Sequence, residues 1–412
     1  MGPLTGRKLI ELEGVSCAFY GQMLRHLGAE VWKVEPPAGD WARRLAPFVD
    51  DHVDTEHSLF WISYNRGKKS LSLDLRSEPG QAVFTQLLGR ADFLVSGYAP
   101  SFSREVGLDL ELLCGEHPSL IVASVTPFGL DVDLGDQPAI DLIVQASSGY
   151  MHMTGDPSRE PLVVGAGHQA PFHGAMWALV GSLIADYSRV RGGGGALIDA
   201  SMETALLWPI APGISQWDSA LVDLARLGDR RVVGTESVRL VFRCRDGHVV
   251  WFLAGGPAGR VGMTELLQWM DEEGLHSPDL TAIDWPTFDI VTTPRETLLR
   301  YEEQFEAFLL TKDRDELLDF ALQTGLMMAP VRDFQELLDD VQLTSRGYWS
   351  DSTDDKRGIR LRLPEAPMKA TERIWEAADA APRLGEHTSE VLTRELTMSP
   401  LEIAALRTNQ AV

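Results

Sequence analysis

The sequence has only three cysteines among its 412 residues, Cys17, Cys114 and Cys244. Their odd number and wide separation exclude a disulfide framework, and their spacing is not that of a zinc ligand set. We therefore expect no metal site and a reducing compartment, the cytoplasm. The amino-terminal residues also lack the basic start and apolar run of a secretory signal, which agrees with that expectation.

Long apolar runs and positive charge are also scarce. No stretch approaches the roughly 20 apolar residues of a transmembrane helix. The chain has 37 Lys and Arg against 60 Asp and Glu, a net charge of −23. Nucleic acids and anionic membranes are bound through clustered Lys and Arg, so neither is expected as a partner. A phosphate-bearing ligand stays compatible, because it needs only a local basic patch.

What remains is the pattern of an α/β protein. The length predicts two domains. Near the start, KLIELE (8–13) reads as a strand, GVSCAFYG as a turn, QMLRHLG as a helix ending at Gly28, and EVWKVEPP as a second strand. A strand, a helix and a strand at this spacing predict a parallel sheet. Ligands of such sheets bind at the carboxyl ends of the strands.

A second region has a different sequence pattern. RLVFRCRDGHVVWFL (239–253) contains two alternating runs joined by Arg-Asp-Gly, which predicts a β-hairpin, and amphipathic helices follow it. We predict a large domain beginning at 1–207, a linker at 208–235, a small α+β domain at 236–326, and a return segment at 327–412. No internal repeat or low-complexity tract is present.

Motifs along the chain resemble the class III CoA-transferases, the family of formyl-CoA transferase and carnitine CoA-transferase. They are GAEVWKVEPPAGD (28–40), NRGKKSLSLDL (65–75) and APRLGEHTSEVL (381–392). The resemblance extends from residue 3 to about residue 407. It implies an α/β fold with a Rossmann-like large domain and a small α+β domain, a chain that returns to the large domain, and a dimer of interlocked subunits.

The resemblance also implies cofactor contacts. Val15, Asn65 and Lys68 match positions that contact CoA in the family, although a hairpin turn with solvated charges is the other interpretation of Asn65 and Lys68. The glycine-rich segment 254–260 falls where the family has a loop that moves over the active site. A plain surface turn is the alternative there.

Two further positions are predicted near the cofactor. Where the family has Asn and Arg after a strand, this chain has Gly97 and Ala99, and Arg104 is a candidate substitute. Asp141 matches an acidic residue near the family's active site, and a helix N-terminal cap is the alternative.

The residue expected to perform the chemistry is missing. The family's nucleophile is an Asp four residues before a Gly. In this chain the Gly is Gly174, and Ala170 occupies the position four residues before it. In the family this carboxylate attacks the thioester to form a mixed anhydride, a step that alanine cannot perform. His168 and His173 flank the position, and we expect them to pack or form hydrogen bonds rather than react. No catalytic residue is therefore predicted in this chain.

The resemblance and the missing carboxylate together predict a non-catalytic subunit of a heteromeric CoA-transferase. Its partner would be a homologous catalytic subunit, and its substrates an acyl-CoA and a carboxylic acid. CoA is expected as a substrate, bound weakly here, with no permanent cofactor. Transfer from succinyl-CoA to (R)-benzylsuccinate, in anaerobic toluene degradation, is one candidate reaction. The alternatives are an acyl-CoA isomerase or racemase, and a non-enzymatic homodimer that binds acyl-CoA.

Overall fold

The computed structural model describes residues 2–165, 167–234, 236–253 and 261–412. The chain forms two compact units. The large unit contains 1–152, 162–224 and 344–412, and the small unit contains 153–161 and 225–343. The first part of the large domain was predicted to end at 207, whereas the large unit continues to 224. The small domain was predicted to end at 326, whereas the small unit continues to 343. One reason is that the proline- and glycine-containing stretch read as a linker includes a helix, Ala211–Ala220, within the large unit.

The strands are β1 Lys8–Glu11, β2 Glu30–Glu35, β3 Lys69–Ser72, β4 Phe93–Ser96, β5 Ile121–Thr126, β6 Ala196–Ser201, β7 Arg230–Val233, β8 Glu236–Arg239, β9 Val241–Cys244, β10 Gly247–Trp251, β11 Met328–Pro330, β12 Trp349–Asp354 and β13 Ile359–Pro364.

The α-helices are α1 Val15–His26, α2 Leu59–Tyr64, α3 Glu78–Leu88, α4 Pro100–Glu105, α5 Leu110–Glu116, α6 Asp141–Ser147, α7 Gln169–Val190, α8 Met202–Leu207, α9 Ala211–Ala220, α10 Met263–Glu272, α11 Pro278–Thr281, α12 Arg295–Leu309, α13 Arg314–Thr324, α14 Phe334–Leu338, α15 Val341–Ser345, α16 Thr388–Leu396 and α17 Pro400–Thr408. Short 3-10 helices span Trp41–Arg44, Val49–Asp51 and Trp208–Ile210. None of the helices in the described ranges is both long and apolar enough to cross a bilayer.

The core of the large unit is a six-stranded parallel sheet in the order β3-β2-β1-β4-β5-β6. This is the strand order of the Rossmann fold, so the predicted α/β class is confirmed. Apolar clusters cover both faces of the sheet. One cluster includes residues of α1 and α7, and the other includes residues of α3, α5 and the two carboxyl-terminal helices.

Helix α1 begins earlier than predicted. GVSCAFYG was predicted as a turn, but only Gly14 is in a turn conformation, with φ of 126°, and the helix starts at Val15. Burial of Val15, Cys17 and Tyr20 in apolar clusters explains the difference, since tertiary packing overrides a weak local helix preference.

The carboxyl-terminal segment returns to the large unit along the edge of β3. The Gly385 amide donates to Ser70 Oγ at 2.8 Å, and the His387 amide donates to Ser70 O at 3.0 Å. The Ser72 amide donates to Thr388 Oγ1 at 3.0 Å. Covering an exposed sheet edge protects its unpaired backbone groups. The return of the chain implied by the family resemblance is therefore present.

The small unit is α+β, as predicted. Its central sheet is antiparallel in the order β11-β10-β9, and β7 pairs with β8. Cys244 lies opposite Gly247, so the hairpin predicted at Arg-Asp-Gly is confirmed. Helices α10, α12 and α13 contribute Leu266, Phe305 and Leu317 to its apolar core.

Candidate active site

A cavity of about 530 Å³ lies in the large unit, beyond the carboxyl ends of β1, β4 and β5. Parallel α/β sheets bind ligands at this edge, and the volume falls in the range of small-molecule sites. The cavity is mainly apolar, with a few polar groups. Its lining residues are Glu13, Gly14, Val15, Ser16, Trp41, Gly97, Tyr98, Pro127, Ala139, Ile140, Asp141, Gly167, His168, Pro171 and Met202.

Ala170 lies beside this cavity, in the first turn of α7 and fully buried. Its backbone amide donates a hydrogen bond to Asp141 Oδ1 at 2.7 Å. The second oxygen, Asp141 Oδ2, accepts from Gln145 Nε2 at 2.8 Å. Asp141 therefore caps α7 and makes no capping bond to its own helix α6. A carboxylate is favourable at this position, because it meets the free amides and positive end of a helix.

Glu13 is the second acid of the cavity. Burial, followed by the neighbouring Asp40, raises the pKa of Glu13, and Tyr98 Oη donates to Glu13 Oε2 at 3.2 Å. Among the described residues that line the cavity, Glu13 and Asp141 are the carboxylates, and Lys and Arg are absent. The charged groups on the cavity wall are thus acidic.

The turn that carries Glu13 is supported by four buried charged side chains, Glu11, Lys33, Asp40 and Lys68, which we call the ionic base. Lys33 Nζ lies 2.5 Å from Asp40 Oδ2 and 3.2 Å from Glu11 Oε1, and it donates to Leu12 O at 2.7 Å. Lys68 Nζ lies 2.7 Å from Glu11 Oε2. Burial lowers the pKa of Lys68 to about 8, against the opposing effect of Glu11.

The ionic base fixes the backbone at the entrance to α1. The Gly14 amide donates to Asp40 Oδ2 at 3.3 Å, so the same carboxylate contacts Lys33 and the cavity-lining turn. Ion pairs withdrawn from water are stabilising only when partners satisfy both charges, so they hold a narrow geometry. No local sequence pattern indicated this network, because its members come from separate segments.

The predicted cofactor contacts fall in three environments. Val15 and Asp141 line the cavity. Asn65 and Lys68 are buried, and Lys68 Nζ also donates to Asn65 Oδ1 and Ala18 O. The interpretation of this turn as solvated charge is therefore wrong. Arg104 lines a different cavity of about 350 Å³ and faces Asp136 at 3.8 Å.

The two flanking histidines are placed differently. His168 lines the cavity with φ of 65°, its ring lies 5.3 Å from that of Phe60, and burial lowers its pKa. His173 has its ring 6.3 Å from that of Tyr150. Segment 254–260, predicted as a mobile loop or a surface turn, lies outside the described residues.

Gly97 has a steric role at the end of β4. A Cβ atom at this position would lie 3.2 Å from Glu13 O and 3.3 Å from Cys17 Sγ, closer than usual contacts. Glycine therefore lets the end of β4 approach the turn before α1, and a larger residue requires that turn to move.

The family model for CoA-transferase family III matches residues 4–388. The chain belongs to this family. Succinyl-CoA:(R)-benzylsuccinate CoA-transferase subunit BbsE from Thauera aromatica is 31% identical over 392 residues, covering 93% of this chain and 92% of that protein. Succinyl-CoA:mesaconate CoA-transferase from Haloarcula hispanica is 31% identical over 398 residues, covering 95% and 96%. The crystal structure of a CAIB/BAIF family protein from Brucella suis matches with a TM-score of 0.79 at 24% identity, covering 96% of this chain and 99% of that one, and shows the shared fold.

Proposed function

We propose that this chain is the non-catalytic subunit of a heteromeric class III CoA-transferase whose homologous partner supplies the nucleophilic carboxylate. The observation that carries the proposal is Ala170, buried beside the cavity at the start of α7. Transfer through a mixed anhydride requires a carboxylate at the reacting carbon. Of the two acids that line the cavity, Glu13 and Asp141, it is Asp141 that contacts residue 170, and both of its oxygens already accept hydrogen bonds. These bonds hold Asp141 in place as the cap of α7.

An exposed apolar surface supports the proposal of a partner chain. Trp177, Val180, Ile184 and Tyr187 lie along α7, are between 42% and 65% exposed, and form what we call the apolar face. Trp177 also stacks on the exposed Trp208, with ring centroids 5.4 Å apart. Clustered apolar groups of this kind mark interaction surfaces. We propose that the partner chain covers this face in an interlocked assembly.

The substrates are proposed from the relatives and the cavity. Both curated relatives are named for succinyl-CoA as one substrate, so we propose succinyl-CoA as the donor. The apolar walls formed by Trp41, Tyr98 and Met202 favour an apolar portion on the acceptor. We propose (R)-benzylsuccinate, the acid named for the relative from Thauera, as the acceptor of CoA. We also propose that CoA binds this chain only transiently and that the protein is located in the cytoplasm.

The test is native mass spectrometry of the chain purified gently from its own cells, with each co-purifying polypeptide sequenced. We expect a second chain of similar mass, with an Asp four residues before the Gly that matches Gly174. The reconstituted pair should transfer CoA from succinyl-CoA, and replacement of that partner Asp by Ala should abolish transfer. A homodimer that performs the transfer alone would refute the proposal.

Restoring the missing acid gives a sharper experiment. In Ala170→Asp, the new carboxylate would lie next to Asp141, whose Oδ1 is 2.7 Å from the residue 170 amide. Two adjacent carboxylates resist joint ionisation. We therefore expect at most a weak second active site in the variant, and Ala170→Asn is the uncharged control. Full activity of an Ala170→Asp homodimer would contradict the effect assigned to Asp141.

One observation favours a second candidate, an acyl-CoA isomerase or racemase. Glu13 faces the cavity with a raised pKa, which suits a group that accepts and returns a proton. This function predicts that the chain alone exchanges the α-proton of an acyl-CoA with D₂O and that Glu13→Gln stops the exchange. A homodimeric acyl-CoA binder instead predicts CoA affinity with neither exchange nor transfer.

A further inference from the structure

A cluster of potential metal ligands lies in the large unit between the 3-10 helix Val49–Asp51 and α2. Asp54 Oδ2 lies 3.1 Å from His52 Nε2 and 2.8 Å from His57 Nδ1. Ligand atoms of all three residues fall within 4.8 Å of one another, and this is the one such trio among the described residues. The cysteine spacing predicted no metal site, but cysteine positions carry no information about this histidine-containing segment.

We propose that His52, Asp54 and His57 form a binding site for a divalent metal ion of the Zn²⁺ class. Two imidazole nitrogens and one carboxylate oxygen suit zinc, whereas Mg²⁺ and Ca²⁺ prefer ligand sets made of oxygen. Zinc bonds of about 2.0–2.1 Å in a tetrahedral site place ligand atoms about 3.3 Å apart. The two separations from Asp54 Oδ2, 3.1 Å to His52 Nε2 and 2.8 Å to His57 Nδ1, need only small outward shifts to reach that spacing.

The backbone around the cluster is already organised. Asp54 Oδ1 accepts hydrogen bonds from the amides of Glu56 and His57 at 2.7 and 2.9 Å, which orient the carboxylate. Both carboxylate oxygens lie 2.8 Å from His57 Nδ1, and Oδ2 also contacts His52 Nε2. The Val49 amide donates to His57 O at 2.9 Å, so the segment closes on itself and brings the two histidines together. Their rings lie 4.9 Å apart, edge to face.

Two arginines bind backbone carbonyls of the same segment. Arg43 Nη1 donates to Thr55 O at 3.1 Å, and Arg357 Nε donates to Glu56 O at 2.5 Å. These contacts hold the backbone between Asp54 and His57, and ligands that are held in place in advance bind a metal more tightly. The His52 side chain is 68% exposed, so an ion can enter from solvent and water can complete its coordination.

The test is calorimetric titration of the full chain with ZnCl₂ after dialysis against EDTA. We expect one Zn²⁺ per chain at this site. His52→Ala should weaken binding at least about 10-fold, the loss seen when even an outer-shell partner of a metal is removed. Asp54→Asn should weaken it comparably, because the amide keeps an oxygen acceptor but loses the charge.

The matched control is His276→Ala. His276 Nδ1 contacts Asp271 Oδ1 at 2.7 Å on the exposed surface, an isolated pair that offers two ligands rather than three. This variant should bind Zn²⁺ like the wild type. Absence of saturable Zn²⁺ binding by the wild type, an equal loss in the His52 and His276 variants, or displacement of Zn²⁺ by equimolar Mg²⁺ would overturn the proposal.

Discussion

The ionic base and the apolar face are two parts of one unit with opposite arrangements. In the ionic base, charged side chains are withdrawn from water and paired with one another beneath the turn before α1. In the apolar face, large hydrophobic side chains of α7 remain in contact with water. Each arrangement is costly for an isolated chain. The first is offset by pairing within the chain, whereas the second calls for a surface from outside it.

The largest effect should come from breaking the ionic base. Lys33→Met leaves Asp40 and Glu11 without their shared cation, and removing one partner of a buried pair costs about 3–5 kcal/mol. Urea unfolding monitored by circular dichroism measures this loss. Lys69→Met is the control, because Lys69 pairs with Glu390 near the surface and should cost at most about 1 kcal/mol. Equal losses would show that the buried network is not special.

A pH titration tests another buried polar group. His26 binds Gln22 Nε2 and Glu376 O, each at 2.8 Å, and burial lowers its pKa from 6.5 to about 4. On acidification the unfolded chain takes up this proton first. The free energy of unfolding should therefore fall by about 3 kcal/mol between pH 6.5 and 4 from this group. His26→Gln should show a smaller decrease over that range, and identical pH dependence would contradict the assignment.

The apolar face is tested by Ile184→Glu. Ile184 is 65% exposed, so the charge should leave the folded chain intact but weaken the complex with the partner by about 2 kcal/mol, roughly 30-fold. Sedimentation of the pair at several concentrations measures the dissociation constant. Leu401→Glu is the control, since Leu401 is 83% exposed on α17, whose Ile403 packs in a different apolar cluster from α7. If both variants assemble like the wild type, another surface binds the partner.

The smallest effect should come from Arg104→Ala, which touches neither region. Arg104 is mostly exposed and lines the other cavity. We expect the CoA affinity, measured by calorimetry on the assembled complex, to change by less than about 0.5 kcal/mol, as for most surface substitutions. A larger loss of CoA affinity would show that Arg104 contacts the cofactor, as the sequence predicted.

Local patterns predicted much of the fold. The βαβ unit and the hairpin were accessible because strand alternation, terminal prolines and an Asp-Gly turn depend on neighbours in sequence. The start of α1 could not be predicted from local patterns, because burial of Val15 and Cys17 determines the helix there. The missing carboxylate at Ala170 was readable from the family motif, since it needs only the spacing to Gly174.

The contacts around the site were not readable in this way. Lys68 was predicted as a CoA contact, with a solvated turn residue as the alternative. Neither interpretation included its partner Glu11, which lies far away in the sequence. Asp141 was expected either near the site or as a cap of its own helix. It lies at the site as a cap of α7, 29 residues away from the amide that it binds. Such pairings depend on tertiary folding, which no local pattern records.

The cover on the β3 edge has a consequence for synthesis of the chain. Ser72 bonds to Thr388, a separation of 316 residues. At about 5–20 residues per second, a ribosome needs roughly 15–60 s to make the intervening chain. During that time the β3 edge of the nascent sheet lacks its final cover, which is an opportunity for pairing with other chains. Chaperone protection should therefore matter most late in translation, before the last residues emerge.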